Sequence, residues 1–161
     1  TKGYTADQVG TGDGQKKFAS DESDYKFGIY PNYTKYTTTG ATLELEDDAA
    51  NFHMGGDWHI PTPEQIQELI EHTINKWVKC NGKNGMLFTS KKDSSKFIFI
   101  PAAGYASDGL VRSSGVGADV WSSMLDTDDV SSGQNLYFDS GCAGLYDYYR
   151  YYGFSVRGVL G

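Results

Sequence analysis

A chain of 161 residues with a net charge of -7 at pH 7 is one domain by length and is able to bury a real core without metals or disulfides. Its lysines are scattered and form no basic stripe, which argues against nucleic acid as a partner. No apolar run approaches the ~20 residues of a membrane-spanning helix, so direct membrane insertion is not expected.

The chain opens at Thr1 without Met and reads as a mature or truncated piece. Residues 1–41 are polar and rich in Gly, Thr, Lys, Asp and Tyr, and read as an arm or long ordered loop. Only Tyr25 to Tyr30 suggests a short strand. Residues 42–161 read as the domain proper. A first helix is expected from about Leu45 to Met54, with Glu46, Asp47 and Asp48 in its first turn and Gly55-Gly56 ending it. The second is better marked. Thr62 is the N-cap, Pro63 takes the first helical position, and Gln65 completes a Thr-x-x-Gln capping box. Ile66, Leu69, Ile70, Ile74 and Trp77 recur at helical spacing, which predicts a helix running to about Cys80, before Asn81-Gly82.

Beyond Gly82 the pattern turns to β. Met86–Thr89 and Phe97–Ile100 are apolar runs joined by a polar turn over Lys91–Ser95, a predicted hairpin. A Gly/Ser-rich loop is expected from Ser107 to Gly117. Three strands are expected over Val120–Ser123, Leu136–Asp139 and Phe154–Val159. Trp58, Trp77 and Trp121 are assigned to the core. Cys80 and Cys142 fit no zinc spacing and leave open one disulfide or two free thiols.

Read in order, several segments resemble a known family. They are Leu45 to Ala50, then Gly55-Gly56-Asp57-Trp58-His59-Ile60-Pro61-Thr62, then Ile100-Pro101-Ala102-Ala103-Gly104-Tyr105, then Val120-Trp121-Ser122-Ser123, and the ending Arg150-Tyr151-Tyr152-Gly153-Phe154-Ser155-Val156-Arg157. Over about residues 42–160 they resemble the major paralogous domain of Fibrobacter and Bacteroidetes, the FISUMP domain. The resemblance implies an α+β, C-type-lectin-like fold: two helices packed on a small twisted antiparallel sheet with long loops. It also implies structural roles for Gly153, Ser155 and Arg157. Proteins diversified by retroelements and the formylglycine-generating enzymes share that fold. Two departures stand out: residues before 40 lack the family's early strand, and position 59 is His where Arg is usual.

Chemistry is sparse. His53, His59 and His72 lack the i, i+4 spacing of a zinc helix and read as packing residues. No Gly-x-Ser-x-Gly elbow is present, and no cofactor is implied. Asp126, Asp128 and Asp129 form an acidic loop, read as solvated although such carboxylates can share Ca²⁺. The informative segment is Tyr137 to Tyr152. Tyr137, Tyr146, Tyr148 and Tyr149, with Asp139, Asp147 and Arg150 interleaved, form a candidate ligand-binding face, because Tyr offers large, rigid contact area with a polar tip. Tyr151 and Tyr152, beside the family frame, are expected to pack against neighbouring rings of the same segment. Lys, Glu, Gln, Met and Trp account for 28 of the first 134 residues and none of the last 27. Those five types are the ones an Asn codon cannot reach when only its adenines are randomised, as retroelement mutagenesis would do. The reading is a non-catalytic recognition domain for a protein or glycan on a cell surface, itself extracellular, surface-anchored or on a phage particle. The alternatives are an enzyme of the formylglycine-generating type, with Cys142 as its candidate thiol, and a structural adhesin subunit.

Overall fold

A computed structural model describes residues 22–161. They form a mixed α+β architecture of two α-helices and small antiparallel sheets. The helices are α1 (Ala49–Met54) and α2 (Pro63–His72). A two-stranded sheet pairs β1 (Trp58–His59) with β10 (Val159–Leu160), joining the chain's end to the α1–α2 connection. One three-stranded sheet runs β2 (Thr73–Cys80), β3 (Lys83–Ser90), β4 (Phe97–Pro101). A small hairpin pairs β5 (Tyr105–Ser107) with β6 (Leu110–Arg112). The second three-stranded sheet runs β7 (Gly117–Leu125), β8 (Ser132–Asp139), β9 (Ala143–Tyr149). No helix among the described residues is long and apolar enough to cross a membrane.

The core sits between α2 and the two three-stranded sheets. Ile66 comes from α2, Met86, Phe88 and Ile100 from one sheet, and Ala118, Val120, Leu136 and Phe138 from the other. Phe88 and Phe138 meet edge to face, centroids 6.2 Å apart. Leu69, Ile70 and Trp77 pack against this cluster.

The capping box at Thr62 forms as expected. The Gln65 amide donates to Thr62 Oγ1 at 3.3 Å, and the Thr62 amide donates to Gln65 Oε1 at 3.0 Å. Thr62→Ala should therefore cost about 1 kcal/mol, read as a shifted urea midpoint with unchanged slope. The helix, however, stops at His72 and not near Cys80. Residues 73–80 pair with β3 in unbroken register, from Thr73 opposite Ser90 to Cys80 opposite Lys83. Asn81 and Gly82 both have positive φ, 47° and 78°, the backbone of a two-residue hairpin turn and not of a helix end. Ile74 accordingly leaves the helical stripe and is exposed, while Trp77 reaches the core from a strand.

The first helix is also shorter than expected. Leu45–Asp47 is a 3₁₀ turn, and Asp48 is the N-cap of α1 instead of a first-turn residue. Its buried carboxylate accepts from the Ala50 and Asn51 amides through Oδ1 and from the Ile60 amide through Oδ2, 2.8 Å. One side chain thus caps α1 and anchors the segment before α2.

The hairpin over 86–100 is present as β3 and β4. Other strand expectations shift. Tyr25–Tyr30 is turns, not strand. The Gly/Ser-rich loop holds the β5–β6 hairpin, closed by Asp108-Gly109 with both φ positive. Val120–Ser123 and Leu136–Asp139 lie inside the longer β7 and β8. Phe154–Val159 is not a strand. It makes a single parallel bridge, Ser155 to Val120, and only Val159 enters β10. The third strand of that sheet is β9, drawn from the tyrosine-rich segment that lies outside the three expected strands. Trp58 and Trp121 are half-buried and outside the central cluster. Gly153 and Ser155 do frame the fold. Gly153 exchanges backbone hydrogen bonds with Ala106, and Ser155 bridges Asp119 and Trp121. A Cβ at Gly153 would lie 2.9 Å from that of Ala106. Arg157 is exposed.

Candidate functional site: an aromatic cleft on the second sheet

Strand alternation divides the β7–β8–β9 sheet into two faces. Leu136 and Phe138 of β8 point to the core, with Ala118 and Val120 of β7 beside them. Asn135, Tyr137 and Asp139 take the opposite face. The register sets Asn135 opposite Tyr146 and Gly133 opposite Tyr148, so both β9 tyrosines share that outer face. On β7 it sets Asp119 opposite Tyr137 and Trp121 opposite Asn135.

Aromatic contacts extend the face beyond the sheet. Tyr137 meets Tyr146 edge to face at 5.7 Å. Tyr148 stacks on Tyr152 at 4.9 Å, and Tyr152 stacks in turn on Tyr105 of β5 at 5.9 Å. Phe154 closes the row against Trp121 at 4.2 Å. Glycine keeps room among these rings: a Cβ on Gly144 would fall 2.7 Å from the Tyr146 ring. The rings border an open cleft of about 350 Å³, at the small end of ligand cavities. Asp119 and Asn135 line it from the sheet. Both are buried, and Asn135 Nδ2 donates to Asp119 Oδ1 at 2.8 Å. Burial pushes the Asp119 carboxyl up to about 6, partly opposed by that hydrogen bond.

The expected face is therefore only partly assembled as anticipated. Tyr137, Tyr146 and Tyr148 come together. Asp139 borders the same face, but its carboxylate is held within the structure. Oδ2 accepts from Tyr137 Oη at 2.9 Å, and Oδ1 accepts from the Gly141 and Cys142 amides that turn β8 into β9. These bonds hold the Asp139 carboxyl below its usual range, with the Gly141 amide foremost. Tyr137 is pushed up to about 12, first by burial and then by Asp139. Asp147 and Tyr149 fall on the alternate side of β9 by parity, although Asp147 still borders the cleft. Tyr149 is exposed and stacks on Tyr151 at 5.5 Å. Tyr151 and Tyr152 are half-buried, packed against neighbouring tyrosines as expected.

Arg150 does not join the face. It is buried, and its guanidinium donates to Tyr25 Oη, to the Lys35 and Tyr36 carbonyls, and to the Val130 carbonyl. It also lies 4.4 Å from the Tyr33 ring centroid. Its place is at the junction between residues 22–41 and the β7–β8 loop.

Tyr105, Asp119, Asn135 and Phe154 belong to the cleft but were not assigned to a site in the sequence, and Tyr152, which also lines it, was set apart as a packing residue. The polar residues Asn135, Tyr137 and Asp139, alternating with Leu136 and Phe138, carried the signal for two outer positions of β8. Nothing local linked Tyr105 or Asp119 to them.

The remaining polar groups serve the scaffold. Both cysteines are free and exposed. Slight desolvation raises the Cys142 thiol even at this exposed position, and the Asp139 carboxylate adds to that, the reverse of what activates a nucleophile. His53 and His72 are exposed and His59 is half-buried. Asp126 accepts from the Asp128 and Asp129 amides, and Asp129 accepts from Ser131 and Ser132, so these carboxylates order their own loop. Glu44, Glu46 and Asp47 converge closely enough to hold a metal, but Lys35 Nζ sits among them, 2.6 Å from Glu44 and 2.9 Å from Glu46. Comparison of the chain with family models, with curated proteins and with solved structures found no match.

Proposed function

We propose that this chain is a non-catalytic recognition domain with a C-type-lectin-like fold of the FISUMP kind, displayed at a cell surface or on a phage particle. Its ligand would be a protein or glycan on a facing surface. One observation carries the reading: tyrosines from β8, β9 and the following turn converge on an open cleft, and Tyr146 and Tyr148 remain about half exposed while ringed by other aromatics. Rings held by stacking present a preorganised contact surface, which reduces the ordering cost of binding. The composition of the last 27 residues supports a further element of the proposal, that this face is diversified by a retroelement. A reverse transcriptase gene with a near-identical template repeat beside this gene would be its direct mark.

The test replaces Tyr146, Tyr148 and Tyr149 together by Ala. Labelled parent and variant chains are applied to a glycan array and to intact bacterial cells, and melting is followed separately. Surface substitutions usually change stability by about 0.5 kcal/mol or less, whereas central aromatic anchors each carry ~2 kcal/mol or more of binding. The expected result is loss of retention with little change in melting. Retention equal to the parent's would overturn the assignment of this face. Unfolding of the variant would show the segment to be core.

A further inference from the structure

The chemistry of the cleft narrows what it can hold. Its walls are aromatic, Asp119 and Asp147 border it, and its lining includes no Lys, Arg or His. Asp119 is 7% exposed and forms no ion pair among the described residues. Next to it, Asn135 is 1% exposed, and its Oδ1 has no hydrogen-bond partner among the described residues. The amide orientation follows from the partner: Nδ2 must face the Asp119 carboxylate, which leaves Oδ1 as the open acceptor. A buried carboxylate without a counter-charge and a buried acceptor without a donor each cost free energy that a matching ligand would recover. Aromatic faces attract cations, and more strongly where water is excluded. A neutral sugar could supply donors and stack on the rings, but it would leave the charge of Asp119 unbalanced.

We infer that the cleft binds an alkylammonium group, presented as a lysine side chain of a protein partner, with Tyr146, Tyr148 and Tyr152 around the cation and Asp119 and Asn135 accepting its protons. This rests on the recognition reading and names the ligand chemistry at that site. Burial raises the Asp119 carboxyl only to about 6, below neutral pH, so its charge is available there. The acidity of the whole chain favours encounter with a basic surface.

The experiment titrates the full chain with n-butylammonium, Nα-acetyl-lysine methylamide, n-butanol and methyl α-glucoside, following the tyrosine ring resonances by NMR. The two cations should bind with millimolar dissociation constants at Tyr146 and Tyr148, and n-butanol at least tenfold more weakly. Asp119→Asn should weaken n-butylammonium at least tenfold without lowering the melting temperature, which excludes unfolding as the cause. Tyr148→Ala should weaken it too, and Tyr148→Phe should largely restore it. Equal binding of n-butanol, or undiminished binding by Asp119→Asn, would overturn the inference. Tight binding of n-butylammonium with none of the lysine derivative would point to a free amine and overturn the protein source. Glucoside binding at these rings in place of the cations would remove the inference and leave the recognition reading standing. Silence from all four probes also sinks the inference alone. The recognition reading falls if the triple tyrosine variant keeps its retention on cells and glycans, or if that variant unfolds.

Discussion

Arg150→Ala should destabilise the domain by roughly 3–5 kcal/mol, the largest loss expected from any single polar side chain here. The guanidinium satisfies three backbone carbonyls and the Tyr25 hydroxyl at 2.8–3.2 Å, and lies over the Tyr33 ring. Removing it leaves those acceptors without their donor in a part-buried junction. It also loosens residues 22–41, leaving them tied to the β7–β8 loop mainly through the Gly40 amide, which donates to the Asp126 carbonyl at 2.7 Å. Urea unfolding of the variant should show a midpoint well below the parent's. Limited proteolysis should cut within residues 22–41 faster in the variant than in the parent. Arg150→Lys should recover only part of the loss, since a point charge cannot span carbonyls of Lys35, Tyr36 and Val130 at once. A loss under about 1 kcal/mol would mean that the N-terminal segment packs on the domain without this anchor.

Asp119→Asn should act in the opposite direction and stabilise the fold by up to roughly 3 kcal/mol at neutral pH. The carboxyl titrates at about 6 in the folded chain against an ordinary 3.8, a difference worth ~1.4 kcal/mol per pKa unit. The cause is burial, so the folded state holds a proton that the unfolded state has released between about pH 4 and 6. Through this group, stability is full below the unfolded value and falls as pH rises through 6. The neutral amide avoids that loss, and it can donate to the open Asn135 Oδ1. Several other carboxylates, including Asp93, Asp129 and Asp139, are held low by hydrogen bonds and slope the other way. The informative measurement is therefore the difference between parent and variant. That gap should be widest near pH 7.5 and close toward pH 4. A variant less stable than the parent at pH 7.5 would show that the Asp119–Asn135 hydrogen bond outweighs the cost of burial. A gain in stability beside a loss of ammonium binding would be the mark of a carboxylate kept for recognition.

Where local chemistry is decisive, the amino-acid order was sufficient. The Thr62–Gln65 capping box, the β3–β4 hairpin and the start of α2 are set by side chains that bond or pair within a few residues of themselves. The mixed α+β class was legible from capping and period-two alternation, and the outward placement of Tyr137, Tyr146 and Tyr148 from the clustering of tyrosine. The far end of α2 was not legible. Ile74 and Trp77 continue the helical spacing of Ile66 and Ile70 by coincidence, and only pairing with β3 through the Asn81-Gly82 turn makes 73–80 a strand. Period alone cannot separate the two when β-branched and aromatic residues follow an amphipathic helix.

β9 failed for the converse reason. Its glycine and consecutive tyrosines show no apolar alternation, because one face meets the core only at Ala143 and Leu145 while the other carries exposed rings. Arg150 looked like part of a binding surface because its neighbours in the chain are tyrosines. Three of its four hydrogen-bond partners lie 114 to 125 residues away, at Tyr36, Lys35 and Tyr25, and the fourth, Val130, lies 20 away. The cleft itself was a tertiary decision in the same sense. Tyr105, Asp119, Asn135 and Tyr148 come from four strands, and their meeting depends on inter-strand register. Register is fixed by which faces must be buried, a property of the assembled sheets that no local window contains.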